Sequence, residues 1–406
     1  MQSSSALIRL AIVAGARPNF MKVAPLMKAL ADDRDFELVL IHTGQHYDDN
    51  MSGQFFRDLG IPDPQYHLEV GSGSHARQTA EIMQRIEPVL LERRPTAVVV
   101  VGDVNSTVAG ALVAKKLNID VVHVEAGLRS FDRSMPEEIN RIVTDSITDL
   151  FLVTEESGRI NLLREGVQAD CVHVVGNLMI DSLRQNLQRA SNSGISAALG
   201  IGPGPYGLVT LHRPANVDDE QTLAGILAAL RTIAEQVPLY WPMHPRTRLR
   251  LQSGHIPLPP SIHILDPLGY LDFLCLESGS SIVLTDSGGI QEETTVLGVD
   301  CLTLRENTER PATIEVGTNR LAGTTPQSIL AAWNERNHAL RPKQVPPLWD
   351  GHAGVRWKVG FAQIDLAGMA IGIGNAAVTG YANIFLNHDL FVDHHGHAPA
   401  KAGTVH

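Results

Sequence analysis

The chain has 406 residues, 44% hydrophobic and 19% charged, with 33 Lys plus Arg against 44 Asp plus Glu and a formal charge of −11. That apolar content excludes wholesale disorder, and the length favours two domains. The acidic balance excludes nucleic-acid binding through bulk electrostatics, because neutralising phosphates takes an excess of Lys and Arg.

The first apolar run, residues 7–14, leads directly into Arg17 and Pro18, so it reads as a buried strand and not as a secretory signal. Val/Ile/Leu-rich runs at 36–42, 96–102, 120–125 and 150–154 are further strands, alternating with helical patterns at 19–31, 76–92, 106–116 and 136–149. This rhythm predicts βαβ units and a parallel sheet. It restarts after Gly176, with strands at 206–211, 239–243, 262–265, 281–284 and 300–304 and helices at 219–237, 270–276 and 288–297. The expectation is an α/β protein of two doubly wound, Rossmann-like domains, 1–176 and 177–350, hinged near 174–182 and facing a cleft. From Gly351 the pattern fades, so 351–406 reads as an atypical tail. Its His394, His395 and His397 have no ligand spacing and read as polar tail. The stretch 361–386 is long enough to span a bilayer, but Gln363, Asp365, Asn375, Asn383 and its glycines count against insertion. Cys171, Cys275 and Cys301 form no disulfide or zinc pattern, which points to the reducing cytoplasm.

Polar groups collect where predicted strands end, the place where α/β proteins bind ligands. After the first strand come Arg17, Pro18 and Lys22 at a helix start, an anion contact or an ordinary turn. After the second come Gln45 and His46; after the third, Asp103, which is either a site carboxylate or the cap of the next helix. Glu125 ends the fourth strand between apolar neighbours, and desolvation there is expected to raise its pKa. Glu137 and Glu138 open a helix, where both suit the dipole, or Glu137 reaches the cleft as a third carboxylate. In the second half His212, Arg213 and His244 end strands. The segment Asp286-Ser287-Gly288-Gly289 runs from strand to helix, with Glu293 one turn on and Arg310 after the next strand. Glycines there let phosphate oxygens approach backbone N–H groups, whereas the plain alternative is a helix capped by Ser287.

As a set, in this order, these segments resemble the non-hydrolysing UDP-N-acetylglucosamine 2-epimerases over about residues 8–340. The resemblance implies the two-domain GT-B fold, a homodimer, a UDP-sugar substrate and no redox cofactor or metal. It implies elimination and re-addition of UDP with inversion at sugar C2. It places Asp103, Glu125 and Glu137 in proton transfer, with His212 beside the diphosphate or sugar. It also gives phosphate to Ser287, Gly288 and Gly289, the ribose to Glu293, uracil to Phe273, and sugar or phosphate to Arg310, with Arg17 and Lys22 lining the cleft. Arg213-Pro214-Ala215-Asn216 and the residues after His46 depart from the bacterial pattern, which counts against activation by substrate and leaves room for a modified UDP-2-acetamido sugar. Trp349-Asp350-Gly351 is present, but the Leu/Ile-rich closing helix of the family is not, and 355–406 look unlike the family. The other readings are a hydrolysing epimerase, a GT-B glycosyltransferase and a nucleotide-sugar-binding protein without activity.

Overall fold

The computed structural model describes residues 7–45, 56, 58–253, 258–336 and 344–362. Within them the chain builds two sheets. The first holds β1 (Ile8–Ala14), β2 (Phe36–His42), β3 (Tyr66–His67), β4 (Ala97–Val101), β5 (Asp120–Val124), β6 (Leu150–Val153) and β7 (Val172–Val174) in the order β3-β2-β1-β4-β5-β6-β7. The second holds β8 (Gly207–Thr210), β9 (Leu239–Pro242), β10 (Ile262–Leu265), β11 (Ile282–Thr285), β12 (Asp300–Thr303) and β13 (Asn319–Leu321) in the order β10-β9-β8-β11-β12-β13. All pairings are parallel. Helices on both faces explain why the central strands are continuous apolar runs: β4 is Ala-Val-Val-Val-Val, buried throughout. Each strand order reverses beside its first strand, at β1/β4 and at β8/β11, which opens a crevice at the carboxyl ends.

The expected hinge is the end of β7 followed by helix Leu178–Ser191. That helix packs on helix Arg17–Leu30 of the first half and on helices Tyr270–Gly279 and Gly288–Leu297 of the second. Gly176, at φ +88°, is needed at the junction, because a Cβ there would lie 2.2 Å from the Leu348 carbonyl oxygen of the returning chain. Buried Trp349 fixes that return, donating from Nε1 to Thr154 O at 3.1 Å.

The expectation of an atypical tail from Gly351 is corrected at its beginning. Ala353–Ala362 forms a helix against helix Arg17–Leu30. The buried Asp181 carboxylate accepts the Ala353 and Gly354 N–H groups at 3.0 and 2.8 Å, and Trp357 is fully buried. A Cβ on Gly354 would stand 2.9 Å from Pro25 O, so the two helices meet at nearly backbone distance. Among the described side chains the contact includes Trp357, the close approach at Gly354 and the Lys358–Asp33 ion pair at 2.8 Å, none of which makes a Leu/Ile period. The rest of the tail, with His394, His395 and His397, lies outside the described residues. Among the described residues no helix is long and apolar enough to cross a membrane, and no group of three or more His, Cys, Asp or Glu side chains is placed to hold a metal ion.

Candidate active site

In the first half the site is built around the end of β5. Glu125 has φ +71°, a left-handed conformation that strains a non-glycine residue by about 1–3 kcal/mol. The turn is held because the Glu125 and Ala126 N–H groups both donate to Leu152 O, at 2.9 and 3.2 Å. Its carboxylate pairs with Lys22 of helix Arg17–Leu30. Asn19 anchors that helix: its Oδ1 accepts from the Gly15 and Ala16 N–H groups at 3.3 and 3.1 Å, and its Nδ2 donates to Val101 O at 2.9 Å. Asp103 does not cap the helix that follows it; Val104 is the cap, without a side-chain bond. The Asp103 carboxylate pairs instead with buried Arg141. Arg141 also donates from Nε and Nη2 to Glu138 Oε2, at 2.9 and 2.6 Å. Glu138 in turn accepts the Ser130 and Phe131 N–H groups at 3.0 and 2.9 Å. Of the two acids opening helix Pro136–Ser146, Glu138 is therefore a buried clamp, and Glu137 is half-buried.

In the second half the ends of β8 and β11 are tied together by buried Asp286. It accepts from the His212 and Arg213 N–H groups at 3.1 and 3.0 Å and lies 2.9 Å from His212 Nδ1. Burial pushes the Asp286 carboxyl up, but His212 and these N–H groups outweigh it and hold the acid below its ordinary range. Ser287 is the N-cap of helix Gly288–Leu297, yet its hydroxyl makes no capping bond; its N–H donates to Thr285 Oγ1 at 3.0 Å. At Gly288 a Cβ would stand 2.7 Å from Glu309 Oε1, so the missing side chain makes room for a carboxylate of the protein itself. Glu309 lies 2.8 Å from Arg305, 3.6 Å from Arg213 and 4.0 Å from Arg310. Despite burial, these three cations, Arg310 foremost, hold it far below the usual carboxylate range.

The halves meet at Arg310. Its Nη2 is 2.6 Å from Glu125 Oε1, and its Nε is 2.6 Å from Glu292 Oε1. The expected rise in the Glu125 pKa is reversed: burial pushes the acid up, but Lys22 and Arg310 outweigh it and hold the carboxyl below its ordinary value. Glu292 goes the other way, raised by burial to about 7 although Arg310 opposes the rise. Glu293 is buried in the second half, where its Oε1 accepts the Tyr270 hydroxyl at 3.2 Å. Arg17 and His244 are exposed on the two sides, and Phe273 is half-buried against the apolar cluster of Tyr206, Leu208 and Tyr240. A Cβ on Gly289 would stand 3.2 Å from Met179 Cε. Gln45 is buried and turned inward, its Oε1 accepting the Ser106 N–H and hydroxyl at 3.1 and 2.7 Å. His46 lies outside the described residues.

Sequence reading missed Arg141, Asp286, Glu292, Arg305 and Glu309 as members of this network. Four of them adjoin or lie within the segments singled out. Arg141 stands one turn from Glu138 on the same helix face, a spacing that signals the pair.

Two facing doubly wound halves, with acids and cations at their strand ends and a Ser-Gly-Gly helix start, define a nucleotide-sugar enzyme of the GT-B fold. A sequence model of UDP-N-acetylglucosamine 2-epimerases matches residues 28–358, running past residue 355, where the resemblance is expected to end. The chain is 45% identical over 334 residues to the UDP-N-acetylglucosamine 2-epimerase of Methanocaldococcus jannaschii, covering 80% of this chain and 91% of that one. It is 40% identical over 327 residues to the UDP-2,3-diacetamido-2,3-dideoxy-D-glucuronate 2-epimerase of Pseudomonas aeruginosa, covering 80% and 90%. Among solved structures, it is similar to the M. jannaschii enzyme in complex with UDP-GlcNAc and UDP (TM-score 0.81, 42% identity, 86% of this chain and 98% of that one). A second structure of the same enzyme, with the same identity and coverage, gives a TM-score of 0.69. The chain belongs to the UDP-N-acetylglucosamine 2-epimerase family.

Proposed function

We propose that this protein interconverts UDP-N-acetylglucosamine and UDP-N-acetylmannosamine by eliminating and re-adding UDP. A base takes the C2 proton, the freed electron pair forms the C1=C2 bond, and the C1–O bond breaks with its electrons leaving on the diphosphate. Protonation of C2 on the opposite face and return of UDP to C1 invert the carbon. The observation that carries this reading is the junction of Glu125 in one half with Arg310 in the other. Held ionised by Lys22 and Arg310, Glu125 is suited at neutral pH to take a proton rather than give one. Arg305 Nη1 and Arg310 Nη1 are buried with no hydrogen-bond partner among the described residues, and a diphosphate supplies the acceptors they lack.

In this reading domain 1–176 supplies the acid/base set of Asp103, Glu125 and Glu137. Domain 177–350 holds UDP: Ser287, Gly288 and Gly289 take phosphate, Glu293 the ribose and Phe273 the uracil, with His212 and Arg213 at the diphosphate. Arg17, Lys22, Gln45, His46 and His244 line the cleft. The same reading carries a homodimer, which sedimentation at twice the chain mass checks. It also carries a cytoplasmic setting, in keeping with the free thiols of Cys171, Cys275 and Cys301. A second reading, a modified UDP-2-acetamido sugar as substrate, is favoured by the 40% identity to the Pseudomonas enzyme.

Incubation with UDP-N-acetylglucosamine in deuterium oxide tests the reaction. Deuterium at C2 of intact UDP-sugar supports it, and free sugar plus UDP identifies hydrolysis. Exchange only into UDP-2,3-diacetamido-2,3-dideoxyglucuronate supports the second reading, and no exchange into either sugar overturns both. Glu125→Gln is expected to slow exchange by about 10²–10⁴-fold, the usual loss on removing a general base, while UDP still binds.

A further inference from the structure

Behind the proposed ribose contact lies a second acid that the mechanism does not use. Glu277, on the last turn of helix Tyr270–Gly279, is 0% exposed, and its carboxyl lies against that of Glu293, itself 3% exposed. The other titratable groups facing the pair are Tyr270, which acts on both acids, Glu292 on Glu293, and the thiol of Cys301 on β12 beside Glu277. Among the described residues, the groups that shift either carboxyl include no Lys, Arg or His. Two touching carboxylates cannot both stay ionised in a dry core without a cation, and one proton between them removes most of the cost. Glu293 Oε1 already accepts the Tyr270 hydroxyl, whereas neither oxygen of Glu277 has a hydrogen-bond donor among the described residues.

We propose that Glu277 and Glu293 share one proton, that Glu277 donates it, and that Glu277 is thereby a positioning residue that aims Glu293 at a ligand diol. The proposal rests on the reading of Glu293 as the ribose contact. In support, burial and mutual repulsion raise Glu277 well above its ordinary value, and burial raises Glu293 to about 8.

Two variants separate positioning from mere packing. Glu277→Gln keeps a neutral donor of the same shape; Glu277→Leu fills the space without one. Binding of UDP and of 2′-deoxy-UDP is measured from pH 7 to 9, with thermal unfolding to confirm that both variants are folded. Glu277→Leu is expected to bind UDP about tenfold more weakly, as fits the loss of one hydrogen bond to a charged acceptor, and to discriminate less between the two nucleotides. It is expected to raise KM far more than it lowers kcat. Glu277→Gln should bind like wild type at pH 7. Wild-type affinity should fall toward pH 9 as the shared proton is lost, and the fall should vanish in Glu277→Gln. Wild-type affinity, discrimination and pH dependence in Glu277→Leu would overturn the positioning role alone. A wild-type protein that does not discriminate between the nucleotides would overturn the ribose reading and the proposal together.

Discussion

Arg310 is the side chain on which most of the cleft's charge balance depends. Fully buried, it faces Glu125, Glu292 and Glu309, and these acids raise its own pKa well above the usual value against the effect of burial. Arg310→Met strands those acids, and breaking such a buried set costs on the order of 3–5 kcal/mol, a loss that denaturant unfolding reads directly. Lys22→Met acts more selectively. Lys22 is the leading influence that lowers the Glu125 pKa, so its loss moves that pKa up. The acid limb of kcat/KM should therefore shift to higher pH, and a limb that stays in place would remove Glu125 as the titrating base. Glu125 and Arg310 are both legible as candidates in the sequence. Their mutual neutralisation is not, because 185 positions separate them and only the folded cleft joins them. Local sequence around Glu125 shows apolar neighbours, and from those alone desolvation looks decisive.

Central strands such as β4 and β5 announce themselves because a strand covered on both faces needs an unbroken apolar run. β3, β7 and β13 sit at sheet edges with two or three residues each, too few to show a pattern. Helix Ala353–Ala362 hides for a different reason. It is held by Trp357, the close approach at Gly354 and the Lys358–Asp33 ion pair, with the Asp181 carboxylate of the hinge helix at its N-terminus, and none of these makes a 3.6-residue apolar period. That arrangement makes the helix a working part of the first half, against the sequence-based view that this half lacks its closing helix. Trp357→Ala should cost about 3–5 kcal/mol, as for other fully buried aromatics, and lower the melting temperature accordingly. A melting temperature equal to wild type would return the helix to the status of a loose tail.

Helix Leu178–Ser191 ties the halves together on the hinge side by packing against helices of both. Across the cleft mouth the ties are polar: Arg310 to Glu125 at 2.6 Å, Asn307 to Asp132 at 3.4 Å and Arg213 Nη1 to Met135 Sδ at 4.0 Å. The two sides differ in physics. Apolar hinge packing persists whatever the charge state, whereas the partly exposed ties of Asn307 and Arg213 exchange readily for water or for a ligand, and the buried Arg310–Glu125 pair opens only where another charge replaces the lost partner. The mouth contacts should therefore set how far the free protein opens. Replacing both Glu125 and Asp132 by Ala removes two of them without touching the hinge. Small-angle scattering of the free variant should give a larger radius of gyration than wild type, and UDP should narrow the difference if, as proposed, its diphosphate gives Arg310 and Arg213 a common anion to close upon. Identical curves for variant and wild type without ligand would mean that the hinge packing alone fixes the angle between the halves.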